Sequence, residues 1–339
     1  MTAQPASKLH LTGLLGSGFS FVTRSLFTQT ELPFLLVFNN KEEAAYYLND
    51  MEQLVGEKDV LFYPASFRRP YQIEETDNAN VLLRAEVLNR INSRKKPAVI
   101  VTYPEALFEK VVTRKELDKN TLKVAVNDKI SIDFINEVLF EYEFKRVDFI
   151  TEPGEFSVRG GIVDVFSFSN DNPYRIEFFG NEVESIRTFD VATQLSIETK
   201  KKITIIPNVE NSFFQENRES FLDYISPQTV IFIQNTELLL ADLDKHFGKA
   251  EEAFAKLSQE IKRATPEQLF LNQASFIKRA LDFSVVEWGS KAVFKTSKTF
   301  PFHFQPQPSF NKQFDLLLNN LNENHFNGYK NYLFCSNDG

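Results

Sequence analysis

The sequence predicts an α/β protein: parallel-sheet lobes interrupted by an inserted β-rich α+β domain. Three observations point to it. Compact apolar runs alternate with helical periodicity over the first third of the chain. Short alternating strands bounded by turn residues then dominate up to about residue 207. After 208 the α/β rhythm returns. Strands separated by helices need crossover connections, which give a mostly parallel sheet with helices on both sides. The expected division is a first α/β lobe over 1–125, an inserted domain over 126–207 and a second α/β lobe over 208–339.

The elements follow in order. A helical stretch near 18–29 precedes PFLLVFNN (33–40), a buried strand. Residues 41–53 read as helix and DVLFYPA (59–65) as a second strand. Asp77 or Asn78 can cap a helix over 79–92, whose apolar face is Val81, Leu83, Ala85, Val87, Leu88 and Ile91. PAVIVTYPEAL (97–107) is a third strand leading into a helical turn. A helix over 131–145 opens the insertion, and KITIIP (202–207) closes it at Pro207. Beyond lie a buried strand in QTVIFIQN (228–235), a long charged helix over 236–263 and another near 266–281. FSVVEW (283–288) and AVFKTSKTF (292–300) read as extended. PFHFQPQPS (301–309) carries three prolines and cannot be regular structure. A helix near 311–323 leads to a last strand in KNYLFCSND (330–338), after which an α/β chain would normally continue.

Composition narrows the function classes. The chain has 339 residues and a formal net charge of −8. Residues 129–207 alone hold nine basic and fourteen acidic side chains. A protein that grips phosphate backbones needs a clustered positive surface, so direct binding to nucleic acid is disfavoured. Arg68, Arg69 and the run 94–96 are the local exceptions, and such runs usually coat solvated loop ends. One cysteine, Cys335, excludes an internal disulfide and fits a reducing cytoplasm. His10, His246, His303 and His325 are scattered, with no Cys/His spacing that would hold zinc. No apolar run reaches 18 residues and the first residues lack a signal-peptide pattern, so no membrane partner is expected.

The most informative stretch is PGEFSVRGGIVDVFSFSNDNPYRIEFFGNEVESIRTFD, residues 153–190. It reads as two β segments, 155–166 and 174–179, around a polar loop. Alternation puts Tyr174, Ile176 and Phe178 on one face and Arg175, Glu177 and Phe179 on the other. Arg159 joins the second set, on the side of Glu155 and Ser157. A large ring among charges on a solvated face marks a docking surface, because interface centres are enriched in aromatics and arginine. Gly160 and Gly161 read either as a bulge that turns Arg159 toward Arg175 and Phe179 or as a plain tight bend. Gly180-Asn181 reads as a hairpin turn, leaving Phe179 at a strand end.

The VRGG, YRIEFFG and ESIRTFD blocks closely resemble the inserted domain of the UvrB-like modules of bacterial nucleotide-excision repair. Through TQLSIETKKKITIIPN (193–208) the resemblance is to the N-terminal module of transcription-repair coupling factors (Mfd) rather than to UvrB. It implies degenerate helicase-like, P-loop NTPase-type lobes around a domain that docks UvrA, the damage-recognition ATPase. The family's contact positions match Arg159, Arg175 and Phe179. The resemblance also implies RNA polymerase and double-stranded DNA as partners of other domains, with ATP and magnesium used by a separate motor.

One motif bears on catalysis. Gly13, Gly18 and Ser20 fit G-x-x-x-x-G-K-[ST], but Phe19 stands where the lysine belongs. That lysine supplies the charge at the β- and γ-phosphates, and an apolar ring would instead fill the pocket. The spacing also fits a glycine-rich turn entering a helix, with only a weak strand signal before it. Asp164 and Asp338 are poor candidates for a magnesium ligand, Asp164 reading as a structural strand residue. Glu251 and Glu252 belong to a solvated helix face. The expected function is therefore a non-catalytic, UvrA-recruiting adaptor without a cofactor of its own. The alternative is an active UvrB-like ATP-dependent helicase subunit.

Overall fold

The computed structural model describes residues 6–66, 71, 78–93, 96–113, 121–168, 170, 172–206, 218–257, 264–295, 298–306 and 308–333. In chain order the strands begin with β1 (Lys8–Thr12), β2 (Phe34–Val37), β3 (Val60–Phe62), β4 (Val99–Thr102) and β5 (Val111–Val112). The insertion contributes β6 (Leu122–Ala125), β7 (Lys145–Arg146), β8 (Glu155–Arg159), β9 (Ile162–Val165), β10 (Tyr174–Phe179), β11 (Glu182–Phe189), β12 (Ser196–Thr199) and β13 (Lys202–Ile205). After it come β14 (Arg218–Glu219), β15 (Val230–Ile233), β16 (Ser284–Trp288) and β17 (Lys298–Pro301).

Apolar strands from both sides of the insertion interleave in one seven-stranded sheet of order β17-β1-β16-β15-β2-β4-β3. Every pairing in it is parallel. Residues 34–37 and 99–102 are buried throughout, as strands covered on both faces must be. The chain steps across the sheet one way from β1 to β3 and returns the other way from β3 to β17. Right-handed crossovers therefore set helices Gly18–Thr30 and Lys41–Val55 on the face opposite to Asn78–Ser93 and Thr236–Lys256.

The insertion is closed at its root by the antiparallel pair β6–β13, Leu122 facing Ile205. Its main sheet has order β12-β11-β10-β9-β8-β7, antiparallel except at β7–β8. Helix Ile132–Glu141, capped by the Ser131 hydroxyl accepting from the Phe134 amide, buries Ile135 and Leu139. These join Phe156, Val163, Ile176, Val183 and Ile186 in a separate core on one face of that sheet.

Several expectations shift. The extended stretch 155–166 is a hairpin, β8 and β9, with Gly160-Gly161 as its two-residue turn. The tight-bend reading of these glycines holds and the bulge reading does not. The helix expected near 266–281 is two helices, Pro266–Leu269 and Gln273–Ala280. Among the described residues of 292–300, 298–300 are strand and 292–295 are not. Asn78 is already the first helical residue. Asp77, Arg68, Arg69, Cys335 and Asp338 lie outside the described residues, and 330–333 form no strand. Residues from His303 onward form a second compact unit, whose helix Phe314–Phe326 buries none of its described side chains.

Candidate protein-docking site

The open face of the insertion's sheet is built by register. Ser157 pairs with Asp164, Asp164 with Arg175 and Arg175 with Arg187 across four adjacent strands. Residues directly opposite one another share a face, so Arg159, Asp164, Arg175, Glu177 and Phe179 lie on one side, away from the core.

Phe179 ends β10 and is 80% exposed. The two-residue turn Gly180-Asn181 puts it there, pairing Phe179 with Glu182. Gly180 and Gly160 both hold positive φ, at 61° and 59°. Each is the first central residue of its hairpin, the position that type II′ turns give to glycine. The expected rim position of Phe179 is the observed one.

The two arginines are arranged differently from expectation. Both bind one internal carboxylate, that of Asp164, whose side chain is 1% exposed. Arg175 grips it in a fork, Nε to Oδ1 at 2.7 Å and Nη2 to Oδ2 at 2.8 Å. Arg159 Nη2 shares Oδ2 at 2.5 Å. Arg175 also donates to Gln194 Oε1 at 3.1 Å, and its guanidinium lies 4.2 Å from the centre of the buried Phe189 ring. The hydrogen bond to Asp164 raises the Arg175 pKa above its ordinary value, against the opposing effect of burial. The side chain of Arg175 is 15% exposed and that of Arg159 40%. The picture of two open cations is thus corrected: charge on a crowded sheet face finds a neighbour before it finds a partner.

Around this cluster stand residues that alternation could not reveal. Phe149, 64% exposed, carries the Arg159 guanidinium over its ring at 5.0 Å. It sits in a loop, outside any strand period. Arg146, Val147, Asp148, Phe149, Val158 and Arg159 line an open depression beside it. The loop is pinned from below by Glu155, whose Oε2 accepts the Thr151 amide at 2.8 Å, the Thr151 hydroxyl at 3.1 Å and the Glu152 amide at 3.2 Å. Burial works against ionisation of Glu155, but these bonds hold its pKa below the ordinary value. Glu177 is engaged by Arg187 and by the Ser185 hydroxyl.

Comparison with known proteins bears on this face. Residues 122–210 match the family described as UvrB interaction domain. The chain is also similar to proteins named transcription-repair-coupling factor. That of Bacillus subtilis is 34% identical over 201 residues, 59% of this chain and 17% of that protein. Those of Rickettsia bellii and Myxococcus xanthus are 29% and 28% identical over 204 and 217 residues, 60% and 62% of this chain and 18% of each relative. The chain is related to these factors and spans less than a fifth of their length. The matched segment holds β6 to β13, and with them the whole Asp164 cluster.

The glycine-rich loop lies outside that domain. It follows β1 and opens helix Gly18–Thr30, the strand–loop–helix order a phosphate loop has. Gly13 has φ 74°, and a Cβ there would stand 2.0 Å from the Phe302 carbonyl oxygen. Phe19 is buried and stacks on Trp288 with ring centroids 3.6 Å apart. Phe38 and Tyr47 meet its ring edge-on at 5.9 and 5.7 Å. The Ser20 hydroxyl donates to Asp50 Oδ2 at 2.8 Å. Glu287, a buried acid at the end of β16 that the sequence reading passed over, accepts from the Thr236 hydroxyl and the Val293 and Phe294 amides. Among the described residues no group of three His, Cys, Asp or Glu could hold a metal ion, and no helix is long and apolar enough to cross a membrane.

Proposed function

We propose that this chain is a non-catalytic adaptor of transcription-coupled nucleotide-excision repair, and that its inserted domain docks a UvrA-type damage-recognition ATPase. The observation that carries the reading is the open ring of Phe179 at a hairpin rim, on the same face as Arg159 and Arg175, inside a UvrB interaction domain. The ring offers an apolar anchor, and the arginine cluster offers cationic contact to partner carboxylates. Through the likeness to transcription-repair-coupling factors the role extends to coupling repair with transcription, the adaptor summoning UvrA to stalled complexes. RNA polymerase and duplex DNA are then partners of other domains.

The same reading holds that the chain turns over no nucleotide. A phosphate loop works by positioning and charge. Here the lysine position is an aromatic ring locked against Trp288, and the magnesium-binding hydroxyl position is bonded to Asp50. These residues do not fit ATP and magnesium, which disfavours the helicase alternative.

Immobilised chain incubated with purified UvrA tests the proposal, with a fluorescent ATP analogue titrated in parallel. Retention of UvrA without saturable analogue binding is the expected pair of results. Failure to retain UvrA refutes the adaptor reading, and saturable micromolar analogue binding refutes the non-catalytic one.

A further inference from the structure

We propose that Asp164 is the positioning residue of the docking face and that the two arginines divide the work, Arg175 bracing from within and Arg159 meeting the partner. This rests on the docking reading above and assigns roles within it.

The geometry separates the two cations. Arg175 spends its Nε and Nη2 on both oxygens of Asp164 in the planar fork that guanidinium and carboxylate favour. The same Nη2 reaches Gln194, and Phe189 backs the guanidinium plane. An arginine held on these sides and 15% exposed has little left to offer a partner. Arg159 uses one nitrogen on the shared oxygen and is 40% exposed, next to the open Phe149 ring. Two guanidinium groups around one carboxylate leave one net positive charge. It emerges at Arg159, because Asp164 and Arg175 are shielded. A long side chain fixed before contact loses less rotamer freedom on binding, so the buried carboxylate preorganises the outward cation. The chemistry that recognises this arrangement is a partner carboxylate at Arg159, flanked by apolar groups against Phe149 and Phe179.

The experiment is a double-mutant cycle on the full chain, measuring affinity for purified UvrA and thermal stability together. Asp164→Asn is expected to weaken binding on the order of tenfold in the parent chain and to have almost no effect in an Arg159→Ala background. Arg175→Lys, which keeps the charge and loses the fork, should follow the same pattern. It carries the test if Asp164→Asn does not fold. Equal losses in both backgrounds would overturn the proposal, since Asp164 would then act through the fold at large. A fall in melting temperature with unchanged affinity would overturn it too, while leaving the docking reading intact. No binding by the parent chain would sink both, and is recognisable as a separate outcome.

Discussion

Phe19 lies flat on Trp288, ring centroids 3.6 Å apart and 16° from coplanar, at the position where a working phosphate loop carries its lysine. The pair joins the first helix to β16, so the side chain that follows Gly18 is part of the core. Phe19→Ala should cost about 3–5 kcal/mol, as other emptied aromatic core sites do. Phe19→Lys should destabilise as well, because an ammonium would be buried among Phe38, Tyr47, Phe232 and Trp288. Chemical denaturation checks both, and an ATP-analogue titration of the lysine variant should show no gain of binding.

Phe179 behaves in the opposite way. With most of its surface already in water it contributes little to folding. Phe179→Ala should leave the melting temperature unchanged and weaken UvrA binding by about 2 kcal/mol, roughly 30-fold. Differential scanning fluorimetry beside a binding titration separates the two effects.

Arg175→Ala should do both kinds of damage. Removing the fork leaves the buried Asp164 with Arg159 alone, and breaking a buried pair from one side costs about 3 kcal/mol. Urea denaturation should show the loss, with the denaturant slope unchanged.

Glu155 sets a pH dependence. Its folded pKa is depressed below the ordinary 4.5. Such a group stabilises the fold fully above its unfolded pKa, and the contribution fades as pH falls through the folded value. Glu155→Gln should therefore melt earlier than the parent at pH 7. The gap should narrow as the pH falls below about 4.5 toward the depressed folded value. Melting curves from pH 7 to pH 3 check this, and a constant gap would contradict it.

The apolar strands of the central sheet were legible because four-residue buried runs such as FLLV and VIVT announce themselves. β1 was not. Its strand signal was weak because it carries Lys8 and His10, and both are buried. The Lys8 ammonium donates to the carbonyl oxygens of Ala280 and Leu281, each at 3.1 Å, and of Phe283, just past a helix C-terminus. His10 Nε2 meets the Gly289 carbonyl at 3.1 Å. Polar groups satisfied by distant backbone leave no local signature. The same holds for the candidate site. Alternation put Arg175 and Phe179 on one face, and the register agrees. It could not show that Asp164, read as a structural strand residue, would gather both arginines, since that pairing depends on which strands are neighbours. Phe149 and Gln194 stayed hidden because loops have no period.

Titrating purified UvrA into the chain by calorimetry, with Phe179→Ala and Arg159→Ala measured alongside the parent, tests the central claim most directly. A saturable heat from the parent, weakened in each variant while Phe179→Ala retains the parent's melting temperature, is the predicted result. Parent-like affinity in both variants would contradict the account.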